Sequence, residues 1–400
     1  MKNILYRCIQ WVTCHVQRLL PWPQPEVITR ENAMLAIPDL LIQNHTTQLL
    51  LVTTPGFIRR GTLEPLFAAL QSKNITYTVF DQVVPNPTID CIEEGYRAYC
   101  TSNSQAIAAI GGGSVLDCAK IIGARAARPG KSAAQMKGMF QIHHKLPDFY
   151  AVPTTAGTGS EVTVAAVVTD SDTHYKYAIN DTCLIPRYAI LDSALTLGLS
   201  PAMTAETGMD ALTHAVEAYT NLYSEKSSNE SARIAVKMIF ENLTKVYDDG
   251  TNHTLRSAML EASFEAGKAF TKAYVGYVHA IAHALGGLYN VPHGYANAVI
   301  LPVVLEAFGT SVEQSLSELA DLVGITGATP SEKAKAFILQ IRKMNAYMNI
   351  PATIDAIQEQ DIPLIAQRAC REGNPTYPVP QIWKQEKMET VIRKLLDLSS

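Results

Sequence analysis

From residue 48 the chain alternates short apolar runs with longer amphipathic ones. Residues 48–53 (QLLLVT) and 106–110 (AIAAI) are almost unbroken apolar runs, which predict strands buried on both faces, and the β-branched and aromatic run 76–80 (TYTVF) predicts a third. Between and after them, residues 63–73, 88–100 and 114–127 carry apolar positions at helical spacing. Strands that hide both faces, separated by helices, are the mark of a parallel sheet built from βαβα units. Further short strands are predicted at 150–152, 162–169 and 188–191. Past residue 200 the texture changes to long helical stretches with few β-branched runs, at 203–219, 229–247, 255–270, 278–288, 332–348 and 386–398. The break at Gly198-Leu199-Ser200-Pro201 sets the boundary between an α/β domain, 23–198, and an all-helical domain, 199–400.

Residues 1–20 stand apart. Leu5, Cys8, Ile9, Val12, Val16, Leu19 and Leu20 recur at helical spacing with Lys2, Arg7, Gln17 and Arg18 between them, which predicts an amphipathic helix. Its apolar face is expected to pack on its own domain or on a neighbouring subunit, with docking to a membrane surface or a partner as the other reading. Pro21, Pro23 and Pro25 then impose an extended tether, so residues 1–22 form an extension ahead of the α/β domain. The stretch lacks the unbroken apolar core and small-residue cleavage site of a signal peptide, and no run is long enough to span a membrane.

Composition narrows the function classes. Apolar residues make up 47% and charged residues 18% of 400, with 33 Lys and Arg against 37 Asp and Glu, too apolar for disorder and without the basic surplus of a nucleic-acid binder. The seven scattered cysteines form no CxxC pair, so neither a disulfide framework nor a thiolate zinc site is expected, and a reducing cytoplasm is the expected compartment.

Two loops carry candidate ligand-binding chemistry. Gly111-Gly112-Gly113-Ser114 follows a predicted strand and opens a helix, where bare backbone N–H groups suit a pyrophosphate; a plain tight turn is the alternative. Pro153 to Glu161 crowds Thr154, Thr155, Thr158 and Ser160 with two glycines after another strand, where hydroxyls and N–H groups suit a sugar and a nicotinamide or, equally, cap a helix at Glu161; with the glycine loop it puts two polar loops at the C-terminal ends of neighbouring strands. The helical half holds the strongest signal. Asp210 and His214 are four apart, as are His279 and His283, so each pair shares a helix face, and His293 follows in a Val-Pro-His-Gly turn. Oxygen and imidazole donors without thiolate suit Fe(II), Zn(II) or Mn(II); helix-surface hydrogen bonding is the competing reading. Glu217 continues the Asp210/His214 face seven residues on and is read as structural, with hydrogen bonding to a metal ligand as the other reading, while His143 and His144 are read as solvated loop residues.

With these residues in place the chain resembles the iron-containing (group III) alcohol dehydrogenases. The match is carried by Val83 to Thr88, Ala109 to Ser114, Pro153 to Glu161, Gly208 to Tyr219 and Gly276 to Pro302, in family order over residues 26–400. The resemblance implies an α/β Rossmann-like NAD(P)-binding domain followed by an all-α metal-binding domain, the dehydroquinate synthase-like architecture, with the site in the cleft between them. It implies a metal-dependent dehydrogenase or reductase moving hydride between a primary alcohol, or its aldehyde, and NAD(P), with the metal, Fe(II) or else Zn(II), as Lewis acid. The implied metal ligands are Asp210, His214, His279 and His293, with His283 as proton relay rather than ligand. The implied cofactor contacts are Asn86, Gly112, Gly113, Ser114, Thr154, Thr155, Thr158 and Lys176, beside Gly111 of the glycine loop. A homodimer or higher homo-oligomer is expected.

Three features depart from the family pattern. Thr54 stands where a carboxylate often holds the adenosine ribose, and with Arg59 or Arg60 nearby this favours NADP(H) or dual use. Lys272 and Tyr274 precede His279 where relatives carry Asn and a small residue, and are expected to narrow or polarise the substrate pocket. Residues 28–41 lack the usual glycine turn. The alternatives are a zinc-dependent glycerol-type polyol dehydrogenase of the same fold and a non-catalytic, metal-stabilised binding protein.

Overall fold

The computed structural model describes residues 2–171 and 176–396. These divide into two compact units: residues 21–198, and the first helix together with everything described from Leu199 onward.

In the α/β unit, nine strands run β1 Glu26–Thr29, β2 Gln48–Val52, β3 Thr76–Phe80, β4 Ala106–Gly111, β5 Gly138–Met139, β6 Asp148–Pro153, β7 Ala165–Thr169, β8 Lys176–Asn180 and β9 Tyr188–Leu191. Six of them form a parallel sheet in the order β1-β9-β6-β4-β2-β3. Every residue of β4 is buried, as its unbroken apolar run requires. Helices α5 (Ile89–Thr101) and α6 (Gly113–Ala127) cover one face through Ile92, Leu116 and Ile121; α2 (Ile37–Gln43), α3 (Pro55–Arg59) and α4 (Glu64–Ser72) lie along the other face, where Leu41, Leu66 and Leu70 pack. Because β3 pairs on one side of β2 and β4 on the other, chain order reverses between β2 and β4. The loops after those two strands, at Thr53-Thr54 and Gly111–Ser114, therefore flank the sheet's switch point, where open α/β sheets take ligands.

One sequence expectation needs correction here. The predicted strand at 162–169 begins only at Ala165, after a short 3-10 turn, and it pairs with β8 in a separate sheet of order β5-β8-β7. The four-residue β1 has no apolar alternation and is held by its register with β9. The missing glycine turn near residue 30 is made by Asn32 at φ 54°, a conformation Asn tolerates. The buried Asp192 carboxylate fixes that turn by accepting from the Asn32 and Met34 N–H groups at 2.9 and 3.0 Å.

The other unit holds α1 (Lys2–Gln17) and nine helices: α7 Pro201–Thr220, α8 Lys226–Asp248, α9 His253–Ala273, α10 Tyr277–Tyr289, α11 His293–Phe308, α12 Glu313–Leu322, α13 Pro330–Tyr347, α14 Ile362–Gly373 and α15 Gln385–Arg393. Ser200 caps α7 by accepting from Met203 N–H, and Pro201 occupies the first turn, so the break read from the sequence is also a helix start. His293 does not sit on a turn; it is the first residue of α11, with Pro292 as N-cap. Among the described residues no single helix is long and apolar enough to cross a membrane.

The first helix packs against this unit with the opposite face to the one expected. Arg7, Gln10 and Gln17 point inward: Arg7 donates to the Val379 and Pro380 carbonyls at 2.7 and 2.9 Å, Gln10 to the Tyr377 carbonyl at 2.7 Å, and Gln17 to the Tyr274 hydroxyl. The segment it meets, Tyr377 to Pro380, is proline-rich and offers carbonyls outside any helix, so polar side chains are what satisfies it. The leucines, isoleucines and valines of α1 are left outside.

Candidate functional site

The nucleotide-type loops meet around the start of α6. Gly112 is the helix N-cap with no side-chain cap, leaving first-turn N–H groups for a ligand. Close approach requires the glycines: a Cβ on Gly113 would sit 2.7 Å from Thr158 Cγ2. The Thr154 N–H donates to the Gly111 carbonyl at 3.0 Å, and a Cβ on Gly112 would lie 3.5 Å from Thr155, so loop 154–158 is laid against the glycine turn. Asn86 joins through its own N–H, which donates to Ser114 Oγ at 3.2 Å. Lys176 is less directly involved: it faces Thr169 across the β7–β8 ladder, and the Thr169 N–H donates to the Pro87 carbonyl at 2.9 Å beside Asn86. Thr54 is the N-cap of α3, and the Arg60 guanidinium folds back over Phe57 and towards Gly56 at that same turn.

A buried ionic cluster anchors this corner. Asp117 accepts from Ser160 Oγ at 2.7 Å and from Val167 N–H at 2.9 Å, and Lys120 donates to the Thr163 and Ala165 carbonyls, both at 2.9 Å. Burial lowers the Lys120 ammonium to about 8, and burial raises the Glu161 carboxyl to about 7, partly offset by Lys120.

In the helical unit α7, α10 and α11 bring three donors together. Asp210, His279 and His293 each present one ligand atom, all within 4.8 Å of one another. Asp210 Oδ1 lies 3.7 Å from His279 Nε2 and 3.5 Å from His293 Nε2. Two donors each about 2.1 Å from one ion, at the angles of a tetrahedral or trigonal site, stand roughly 3.4–3.6 Å apart, so the spacing fits a single divalent cation. His293 comes this near because Gly294 lets α11 approach the α7 backbone; a Cβ there would lie 2.4 Å from the Glu206 carbonyl oxygen. His214 flanks the trio, its Nδ1 4.0 Å from Asp210 Oδ1 and its ring stacked on Phe270.

Two residues complete the surroundings: Glu217, for which the sequence favoured a structural role over that of partner to a ligand, and Asn297, which the sequence reading missed. Glu217 accepts from His279 Nδ1 at 2.6 Å and from the Gly276 and Val278 N–H groups, both at 2.7 Å, so it both caps α10 and turns the His279 Nε2 lone pair to the site. Its place seven residues after Asp210 was the signal. Asn297, one turn after His293, directs its amide nitrogen at Asp210 Oδ1 (2.6 Å), His293 Nε2 (3.1 Å) and His279 Nε2 (3.2 Å). One amide has two hydrogens for three acceptors, and its own buried Oδ1 has no hydrogen-bond partner. Lone pairs converging in excess of the available hydrogens are an arrangement that a metal ion would satisfy. Burial lowers His293, and although burial also opposes charge on His279, bonds to Asp210 and Glu217 raise it to about 9.

His283 lies against the trio, its ring stacked on His293 with centroids 5.1 Å apart. Its Nδ1 is 2.7 Å from Glu372 Oε1, which also accepts from the Tyr377 hydroxyl at 2.8 Å. Lys272 and Tyr274 both have partners within the helical unit. Lys272 pairs with Glu225 at 3.7 Å, and the Tyr274 hydroxyl is taken by Gln17 of α1.

Comparison with known proteins follows the same division. The sequence model of the Iron-containing alcohol dehydrogenase family matches residues 24–193, and that of the Fe-containing alcohol dehydrogenase family, C-terminal, matches residues 204–396. The chain is 36% identical over 351 residues to 1,3-propanediol dehydrogenase of Klebsiella pneumoniae, covering 86% of this chain and 90% of the relative. It is 34% identical over 369 residues to alcohol dehydrogenase 4 of Saccharomyces cerevisiae, covering 91% and 95%. A crystal structure of 1,3-propanediol oxidoreductase superposes with a TM-score of 0.90 at 34% identity, spanning 94% of this chain and 100% of that one.

Proposed function

This chain belongs to the iron-containing alcohol dehydrogenase family and is an NAD(P)-dependent alcohol oxidoreductase; from that premise we propose that Asp210, His214, His279 and His293 hold its divalent metal, Fe(II) ahead of Zn(II). The observation that carries this reading is the convergence of the Asp210, His279 and His293 donor atoms within 4.8 Å. His214, one turn along α7 from Asp210, is the fourth donor. When bound, the metal supplies Lewis acidity at the alcohol oxygen and the nicotinamide supplies the hydride acceptor.

The chain's own residues do the rest. Glu217 keeps the His279 proton on Nδ1, and Glu372 does the same for His283, which presents its Nε2 to take the proton leaving the alcohol. The start of α6, with Gly111, Gly112, Gly113 and Ser114, holds the cofactor pyrophosphate on backbone N–H groups, and Asn86, Thr154, Thr155, Thr158 and Lys176 line its path. Thr54 offers a hydroxyl without the charge that repels a 2′-phosphate, and Arg60 at the same turn favours one, supporting use of NADP or of both cofactors. The substrate is a short primary alcohol or its aldehyde, a class supported by the name of the propanediol relative. Seven free cysteines support a reducing compartment, the cytoplasm.

Anaerobic reconstitution with Fe(II) or Zn(II), followed by two- to four-carbon alcohols and aldehydes with both cofactors, tests the reading. Turnover with Fe(II) on linear substrates is expected; activity confined to Zn(II) and polyols would overturn it. A strong preference for NAD in kcat/KM would remove the Thr54 argument. His279→Ala is expected to lose bound metal and turnover together, and a variant retaining both takes His279 out of the ligand set.

A further inference from the structure

From the face that α1 turns outward we infer that this helix docks the enzyme on an anionic lipid surface. Among the described residues, seven of the fifteen exposed large apolar side chains lie on α1 or just after it. Ile4, Leu5, Trp11, Val12, Val16 and Leu19 are each at least half exposed, whereas Gln10 is 1% exposed. The helix cannot roll to hide this strip, because Arg7, Gln10 and Gln17 are committed inward to Val379, Pro380, Tyr377 and Tyr274.

Charge and area decide what covers the strip. Residues 1–25 contain Lys2, Arg7 and Arg18 and none of the chain's 37 Asp and Glu, so this segment is positive on a protein of formal charge −4. Arg18 is shared with the Tyr223 carbonyl and, at 3.6 Å, with Glu225. A second copy would set the strip against itself, with no acidic group on either helix to pair with a cation across the contact. It would also gain little: 16 residues make a strip about 24 Å long and ~10 Å wide, a few hundred Å², against the ~800 Å² each partner gives to a standard interface. A lipid surface needs no such area. An apolar strip sinking to the acyl boundary, with an aromatic ring at headgroup level and cations beside it, is the usual composition of a helix lying in the interface. Trp11, stacked on His15 with centroids 4.3 Å apart, is placed for the aromatic part.

The test is flotation of the full-length enzyme with vesicles of phosphatidylcholine alone or with a third phosphatidylglycerol. Binding is expected to the anionic vesicles, at least tenfold weaker to the neutral ones, and to fall steeply between 50 and 500 mM NaCl. The doubly substituted Leu5→Glu, Val12→Glu chain is expected to lose at least tenfold in bound fraction while keeping its metal content and turnover. Because both side chains are exposed, folding is checked by that turnover, and the salt and lipid series on the unsubstituted enzyme stands without the variant. Absence of binding to anionic vesicles, equal binding to both vesicle types, or binding untouched by the substitutions would each overturn the proposal. Light scattering that shows self-association broken by the same substitutions, with no vesicle binding, would assign the strip to a second copy instead.

Discussion

One carboxylate, that of Glu217, serves two groups that a residue-by-residue reading treats separately. It caps α10 through Gly276 and Val278 and holds Nδ1 of His279. In Glu217→Gln the amide nitrogen would face an N–H donor, so either the cap or the imidazole is lost. We expect metal affinity to fall roughly 10- to 100-fold, measured by competition with a chromogenic chelator; unchanged affinity would confine Glu217 to capping. The Asp210/His214 and His279/His283 pairs were legible in the sequence because helical spacing puts them on one face. Asn297 and Glu372 were not. Asn297 meets Asp210 across 87 residues and Glu372 meets His283 across 89, and no local period encodes a pairing between distant helices.

At the scale of elements, the start of α6 is a close fit between Gly113 and Thr158. Gly113→Ala would press its Cβ on Thr158 Cγ2 at 2.7 Å, so KM for the cofactor is expected to rise about tenfold or more with bound metal unchanged. Adding Thr158→Ser removes that methyl and is expected to recover part of the loss; no recovery would place the defect elsewhere. The Glu161 turn next to it makes a pH prediction. Its folded pKa of about 7 exceeds the ordinary 4.5, so its contribution to stability is complete below about pH 4.5 and is lost as pH rises through 7. In Glu161→Gln the drop in Tm between pH 5 and pH 8 should therefore shrink, as read by thermal scans; a larger drop would contradict the sign. The central strands could be read from their apolar runs, but β1 and β5 could not, being short edge pieces whose register is set by a neighbour. For α1 the periodicity was correct and the inward face was not: apolar spacing specifies a stripe, whereas the partner decides which side it buries.

For the whole molecule, family likeness begins at residue 24, after α1. A chain lacking residues 1–20 is accordingly expected to fold and retain metal, with a lower Tm because Tyr274 and the Tyr377 and Val379 carbonyls lose their partners. Loss of metal from a folded truncated chain would instead make α1 part of the site. The near-neutral charge balance also fits this organisation, since a cofactor anion held on backbone N–H groups needs no basic surplus.

Tyr274 ends α9 at φ 64° and ψ 171°, a backbone region almost reserved for glycine. The tyrosine is held there at both ends, its carbonyl by Asn221 Nδ2 at 3.2 Å and its hydroxyl by Gln17. The two features are thus one inheritance: across natural sequences the tyrosine should appear where the leading helix appears and revert to a small residue where it does not. A substitution that shortens Tyr274 to open the substrate side would unfasten a helix instead.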